Sequence, residues 1–300
     1  MLIILLCLYL LPWSLKMTLI GFAKSGSPTR PLTNLANSLV TIIDNFEYGS
    51  NHEVAVGDLS ENDHAVFQAS SRIFTSHSFS VRCRLSLLLV EPRVIQRRFY
   101  SSMRFLAPRF YRVFSHYPPL VASIPNARLI YHGGSWLESS FTPQLERSSL
   151  CSLIASTKQS TEGQRLRHSI ANWAKDSEIE LCLLGRGYHG FDVRSDGFIP
   201  FCYSVVIENS RESGYFTEKL IDCLLCETVP IYWGDPDIAE HFDMGGIIAC
   251  RNSEDIKQAI LTISKEDYHS RRDSLSRNAR TALKYVDRRI DVARILRAEA

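Results

Sequence analysis

The sequence predicts an α/β protein. Short β-branched and aromatic runs of strand length recur along the chain. Segments with apolar residues three and four positions apart separate several of them, and residues 203–234 join both kinds in one unit. Three hundred residues suffice for one large or two medium domains with real cores. A formal net charge of +2 gives no bulk reason to expect a nucleic-acid partner. The eight cysteines are scattered singly among apolar neighbours, which suits reduced, buried thiols better than a disulfide framework. No N-x-[ST] sequon occurs, which weighs against a glycosylated lumenal enzyme.

Residues 1–13, MLIILLCLYLLPW, are almost wholly apolar but too few to span a bilayer unaided, and no basic residue precedes them. Extending the run to residue 20 places Lys16 inside it. Three readings of residues 1–16 stay open: a signal-anchor, a membrane-surface leader, or an upstream start that the mature protein lacks. Membrane association is accordingly expected through residues 1–20. Met17 opens MTLIGFA, read as the first strand of a domain. Residues 25–38 are turn-rich, and 38–65 are expected to hold short or irregular elements. Residues 84–90, RLSLLLV, form a buried strand that stops at Glu91-Pro92-Arg93. A helix is expected over 100–109, and strands over 111–116, 127–134 and 149–156. Residues 135–147 read as a hinge. The second half repeats the pattern, with a helix over 163–175 and a strand over 178–184.

The unit at 203–234 divides by periodicity. YSVVI (203–207) reads as a buried strand, and residues 217–226 place Leu220, Ile221, Leu224 and Leu225 on one helical stripe. TVPIYW (228–233), closed by Gly234 and Pro236, is the next strand. Such a crossover makes the two strands parallel. The polar loop ENSRESGYFTEK then lies where a strand's carboxyl end meets a helix's amino end. Free N–H groups and the helix dipole favour phosphate there. Beyond it come a strand at 247–250, a helix at 253–263 and one long amphipathic helix over 268–298 with an arginine-rich outer face. That face is read as solvated.

The run ENSRESGYFTEKLID followed by VPIYWG and a proline closely resembles the donor-binding signature of the family 10 glycosyltransferases, the α-1,3/1,4-fucosyltransferases. The resemblance is strong over 151–250, moderate over 84–150 and weak before that. It implies a GT-B fold, two Rossmann-like domains facing across a cleft. They would comprise an acceptor-side domain at 17–145 and a nucleotide-sugar domain at 146–267, followed by the helix at 268–300. It also implies an inverting enzyme that transfers L-fucose from GDP-β-L-fucose to an acceptor glycan, with no required cofactor and Mn²⁺ or Mg²⁺ at most stimulating. The family's phosphate-binding arginine and lysine map onto Arg167 and Lys219. Its other donor contacts map onto Asn209, Tyr215 and Glu218, the last on the ribose hydroxyls, and its general base maps onto Glu91. The chain departs from the pattern in reading Glu-Pro-Arg at 91–93 and Phe-Cys-Tyr at 201–203. Glu227 also stands where relatives often place a helix-ending glycine. The alternatives are a silent sugar-nucleotide or glycan-binding module, or a relative using another nucleotide sugar. Location is expected to be membrane-associated or cytoplasmic, the alternative being a Golgi membrane protein with a lumenal domain.

Four further motifs carry less. Gly185-x-Gly187-x-x-Gly190 follows a strand but opens no helix, as a dinucleotide fingerprint must. Cys223-x-x-Cys226 lies inside an apolar helix with no second pair, so core packing is expected. Asp235-x-Asp237 mimics a metal-binding D-x-D, yet it sits in the turn that closes the signature, and no metal site is expected. His132-Gly-Gly134 lacks the G-x-S-x-G nucleophile that would make it an esterase loop.

Overall fold

A computed structural model describes residues 18–23, 35, 38–43, 52–70, 81–131, 133–138 and 147–299. The apolar leader, Met17, His132 and residues 139–146 of the expected hinge lie outside the described residues. The chain forms two compact units, Met1–Ser86 with Ala293–Ala300, and Leu87–Val292.

In the first unit, β1 (Ile20–Ala23) pairs antiparallel with β2 (Leu39–Ile42) and parallel with β4 (His64–Gln68), and β3 (Glu53–Ala55) pairs antiparallel with β2. The expected first strand is therefore present, and the region expected to hold short elements supplies three strands. Asp63 joins its loops: its carboxylate accepts from Leu19 N (2.8 Å), Ser60 N (2.7 Å) and Ser60 Oγ (2.6 Å). Strand β5 (Arg84–Leu89) runs across the boundary into the second unit.

In the second unit, α1 (Arg93–Leu106) follows β5, beginning well before the expected residue 100 because Pro92 sets the extended entry that a helix start needs. Then come β6 (Arg112–Ser115), α2 (Pro118–Ser123) and β7 (Ala127–Leu129), with β6 and β7 parallel. A five-stranded sheet follows in the order β12-β11-β10-β8-β9, every pairing parallel. It comprises β8 (Ser149–Ile154), β9 (Cys182–Leu184), β10 (Phe201–Ile207), β11 (Val229–Trp233) and β12 (Ile248–Ala249). Helices α3 (Glu162–Asp176), α4 (Glu218–Leu225) and α5 (Ser253–Thr262) connect and cover it. Burial on both faces explains why β10 and β11 read as unbroken apolar runs, since all their residues are buried. Strand β9 is shorter than expected because the chain turns at 177–178, with Glu178 at φ 54°, and runs irregularly to the strand start at Cys182.

The single long helix expected over 268–298 is corrected to three: α6 (Lys265–Ser270), α7 (Arg272–Ala282) and α8 (Arg288–Ala298). The break between α7 and α8 has a local cause. Tyr285 turns its ring onto Phe216 (centroids 5.1 Å apart) and Phe242 (5.7 Å), and its carbonyl accepts Gly134 N (2.7 Å) instead of continuing the helix. Asp287 then accepts Arg289 N (2.9 Å), a capping bond that restarts the helix.

Cys223 and Cys226 are fully buried in the core of the five-stranded sheet, as expected, with Cys223 Sγ against Thr228 O (3.2 Å). The seven described cysteines are free, and Cys182 departs from expectation in being exposed. Among the described residues no helix is long and apolar enough to cross a membrane.

Candidate active site

The carboxyl end of β10 is where the predicted residues gather. Two helix starts converge on it. Helix α3 is fixed by a capping box, in which Thr161 Oγ1 accepts Gln164 N (3.3 Å) and Gln164 Oε1 accepts Thr161 N (3.2 Å). Gly163, in its first turn, presses against the strand end: a Cβ there would lie 1.6 Å from Glu208 O, so only glycine fits. Gly163 N donates to Asn209 O (3.2 Å). Helix α4 begins after Thr217, whose hydroxyl accepts Lys219 N (3.4 Å).

Arg167, one turn into α3, is buried. Its Nε donates to Ile207 O (2.9 Å), its Nη2 donates to the same carbonyl, and Nη2 also reaches Asn209 Oδ1 (3.2 Å). Arg167 and Asn209, both singled out in the sequence, are thus direct partners. Burial pulls the guanidinium's pKa below its ordinary value, and the Glu208 carboxylate opposes that pull.

Glu208 is the residue that the sequence reading left without a role. It is fully buried, and its carboxylate accepts from Thr217 N (2.8 Å), from Thr217 Oγ1 (2.8 Å to Oε2) and, as an ion pair at 3.4 Å, from Lys219 Nζ. Lys219 Nζ also donates to Thr217 Oγ1 (2.8 Å) and Glu218 Oε1 (3.0 Å). Burial alone would lower the Lys219 pKa, but the Glu208 and Glu218 carboxylates outweigh it and the ammonium is held above its ordinary value. Lys219 is therefore a firmly charged cation gripped by two carboxylates. A glutamate immediately after a buried strand, with Thr and Lys nine and eleven residues on, was the available signal.

Tyr215 is buried beside the same group. Burial drives its phenol well above the ordinary range, with Glu208, Glu91 and Glu218 adding to the effect. The loop carrying it turns at Gly214 (φ 73°), where a Cβ would lie 2.4 Å from His116 O, so glycine is required.

Glu91 follows β5 in the bend before α1. Its backbone carbonyl accepts Tyr100 Oη (3.2 Å), while its carboxylate makes no hydrogen bond or ion pair among the described residues. Burial raises its pKa; Lys219 opposes the rise, Glu218 adds to it, and Arg288 and Lys158 oppose it. Those groups place Glu91 within electrostatic reach of the α4 start. Glu91 and the five donor-side residues belong to one compact unit. Arg288, at the start of α8, is a cation that the sequence reading missed. Its pKa is lowered first by burial, with Glu218 and Glu91 among the groups opposing.

Arg93 pairs not with Glu91 but with Glu212 from the loop after β10. Glu212 Oε2 accepts Arg93 N (3.1 Å) and Oε1 accepts Arg93 Nε (3.0 Å), and His116 Nε2 lies 3.7 Å away. Pro92 cannot cap α1, so a glutamate 119 positions beyond Arg93 does it.

Asp235 and Asp237 are turned into the protein's own bonds. Asp235 is buried and its Oδ1 accepts Asp237 N (2.9 Å), while Asp237 Oδ2 accepts Ser213 Oγ (2.5 Å). Among the described residues no group of three or more His, Cys, Asp or Glu could hold a metal.

The fold is the α/β arrangement of the GT-B glycosyltransferases. A Staphylococcus aureus TarM variant, solved with fondaparinux, alpha-GlcNAc-glycerol and UDP, superposes with a TM-score of 0.57 at 10% identity, over 79% of this chain and 55% of that one. Anabaena HepE in complex with UDP gives 0.55 at 13% identity, covering 79% of each. In sequence, the chain is 34% identical over 73 residues to the alpha-(1,3)-fucosyltransferase FucT of Helicobacter pylori, a match covering 24% of this chain and 15% of FucT. The chain thus spans about 15% of the length of that relative. No family model matches it.

Proposed function

We propose that the chain is an inverting glycosyltransferase that moves L-fucose from GDP-β-L-fucose to a hydroxyl of an acceptor glycan, in an α-1,3/1,4-type linkage. One observation carries the reading: Glu91 has an unpartnered carboxylate within electrostatic reach of Lys219, Glu218 and Arg288. That combines the two needs of the reaction, a base for the acceptor hydroxyl and positive charge for the departing diphosphate.

In this reading the acceptor oxygen attacks the anomeric carbon from the face opposite GDP, and Glu91 takes its proton. The bond from that carbon to the diphosphate breaks, and its electron pair leaves with GDP. A base whose pKa is raised by burial holds the proton better than an exposed glutamate would. Lys219 and Arg167 stabilise the leaving diphosphate, and the N–H groups at the starts of α3 and α4 add to their field. Glu218 takes the ribose hydroxyls, while Asn209 and Tyr215 complete the donor pocket. Glu208 orients Lys219 and Thr217 from behind. The fucosyl donor is supported by the signature and by the FucT match.

A second donor class has its own support, since the two fold neighbours were solved with UDP. A panel of GDP-fucose, UDP-GlcNAc and UDP-glucose with mixed glycan acceptors, read by product mass, decides between them. A fucosylated product with inverted anomeric configuration is expected. Transfer from a UDP-sugar with none from GDP-fucose overturns the donor, and binding of nucleotides without any transfer overturns the enzyme.

A further inference from the structure

Helix α1 has an outward face that the site does not use. Tyr100 and Met103 are its buried residues. Val94 precedes a kink at Gln96 (φ −106°, ψ 29°), and Phe105 lies in the last turn of the helix after it. They are 56% and 72% exposed, and Ile95 beside them is 46% exposed. Arg97, Arg98 and Arg104 lie between Ile95 and Phe105 along the helix and are all exposed. The Arg104 guanidinium carbon lies 5.0 Å from the Phe105 ring centre.

The charges around it are one-sided. Residues 92–137 hold seven arginines and no lysine, aspartate or glutamate, although the whole chain carries only +2. Arginines near the chain's end are matched by acids, as in Arg271–Asp267, Arg277–Asp243 and Arg289–Asp287. Arg97, Arg98 and Arg104 make no ion pair among the described residues. A merely solvated helix face has no reason to centre large apolar side chains among unmatched arginines. A bilayer surface with anionic headgroups suits both parts, because apolar side chains sink to the headgroup boundary while guanidiniums meet lipid phosphate. A soluble polyanion would engage the arginines but gain nothing from Val94 and Phe105.

We propose that the outward face of α1 docks the protein on an anionic membrane surface, with Val94, Ile95 and Phe105 in the interface and Arg97, Arg98 and Arg104 on lipid phosphates.

Flotation of the full chain with vesicles of phosphatidylcholine, with and without phosphatidylglycerol, tests this. Binding is expected to the anionic vesicles alone and to weaken as salt rises. Two variants probe the face: Val94→Ser with Phe105→Ser, and Arg97→Glu with Arg98→Glu and Arg104→Glu. Each should weaken partitioning at least about tenfold. All five positions are exposed, and circular dichroism checks that the fold is kept. No flotation of the parent chain on anionic vesicles overturns the proposal. So does equal flotation of parent and both variants, because attachment would then lie elsewhere in the chain. A serine variant that binds normally, with heparin competing fully, would make the face a site for soluble polyanions instead.

Discussion

Glu212 caps the helix that starts beside Glu91. Its Oε2 accepts Arg93 N at 3.1 Å and its Oε1 accepts Arg93 Nε at 3.0 Å. The loop that carries the donor-side residues thereby holds the segment that carries the proposed base. Only Pro92 separates Glu91 from the capped amide, so any slack at Glu212 is passed to the base.

Glu212→Ala should therefore lower both stability and turnover. The side chain is 3% exposed and its removal strands the Arg93 amide, a loss of about 1–3 kcal/mol. Burial alone would raise the Glu212 pKa, but His116 and Arg93 together hold it below the ordinary value. Its contribution is thus present above pH 4.5 and fades as pH falls through the lower folded value. Urea denaturation of parent and variant should converge in acid. A constant difference at every pH would deny the ionised cap.

Glu91→Gln separates catalysis from structure. The carboxylate has no partner to lose, and burial raises its pKa, so the ionised form disfavours the folded state. The stability linked to this group is full below its unfolded pKa and lost as pH rises through the folded one. At neutral pH the amide should leave the melting temperature unchanged or slightly higher. If Glu91 is the base, kcat should fall about 10²–10⁴-fold while GDP affinity holds. A destabilised variant with normal turnover would make Glu91 structural.

The sequence made the central unit legible because its apolar periods change sharply at 207, 217 and 228, and β10, α4 and β11 fall within two residues of those points. Arg167 and Asn209 were named separately, and the structure makes them partners. What stayed hidden depends on distant chain. Neither the cap that Glu212 gives α1 from 119 positions away nor the approach of Arg288 to the site leaves a local pattern. The terminal helix misled for a related reason. Its spacing is helical throughout, yet the chain breaks at Arg271 and again at 283–287, where Tyr285 docks on Phe216.

Lys219→Ala should weaken GDP binding by roughly 1–3 kcal/mol, the scale of a charge-assisted hydrogen bond. It also leaves Glu208, fully buried, without its cation, so stability should fall as well. The double variant with Glu208→Gln discriminates the two effects. Stability should recover in part while GDP binding stays weak. Calorimetry showing full GDP affinity in a folded Lys219→Ala protein would remove Lys219 from the donor site.

Burial pushes the Asp235 carboxyl up to about 6, and its Oδ2 is a buried atom with no hydrogen-bond partner. Raised means that its stabilising protonated form is lost as pH climbs through about 6. Asp235→Asn should then raise stability at pH 8 by roughly 1–3 kcal/mol, since each tenfold change in proton affinity corresponds to about 1.4 kcal/mol. Activity should persist in this variant, and in the parent treated with EDTA. Loss in both, restored to the parent by Mn²⁺ or Mg²⁺, would return Asp235 and Asp237 to a metal role.

Glu227 occupies the left-handed conformation, at φ 50°, a region that favours glycine. The strain is held in place from outside: Glu227 O accepts Arg147 Nη2 (3.0 Å) and Tyr268 Oη (3.1 Å), and Cys226 O accepts Arg147 Nη2 (2.7 Å). Those bonds involve only the backbone of residue 227, so a glycine keeps them all. It also removes the Cβ clash that costs about 1 kcal/mol or slightly more in this region. Against that stands the greater freedom of glycine in the unfolded chain, roughly 0.5–1 kcal/mol. Glu227→Gly should accordingly be neutral to about 1 kcal/mol more stable, whereas Glu227→Ala keeps the strain and should show no gain. Equal melting temperatures for the alanine and glycine variants would mean that the turn carries no strain for glycine to relieve.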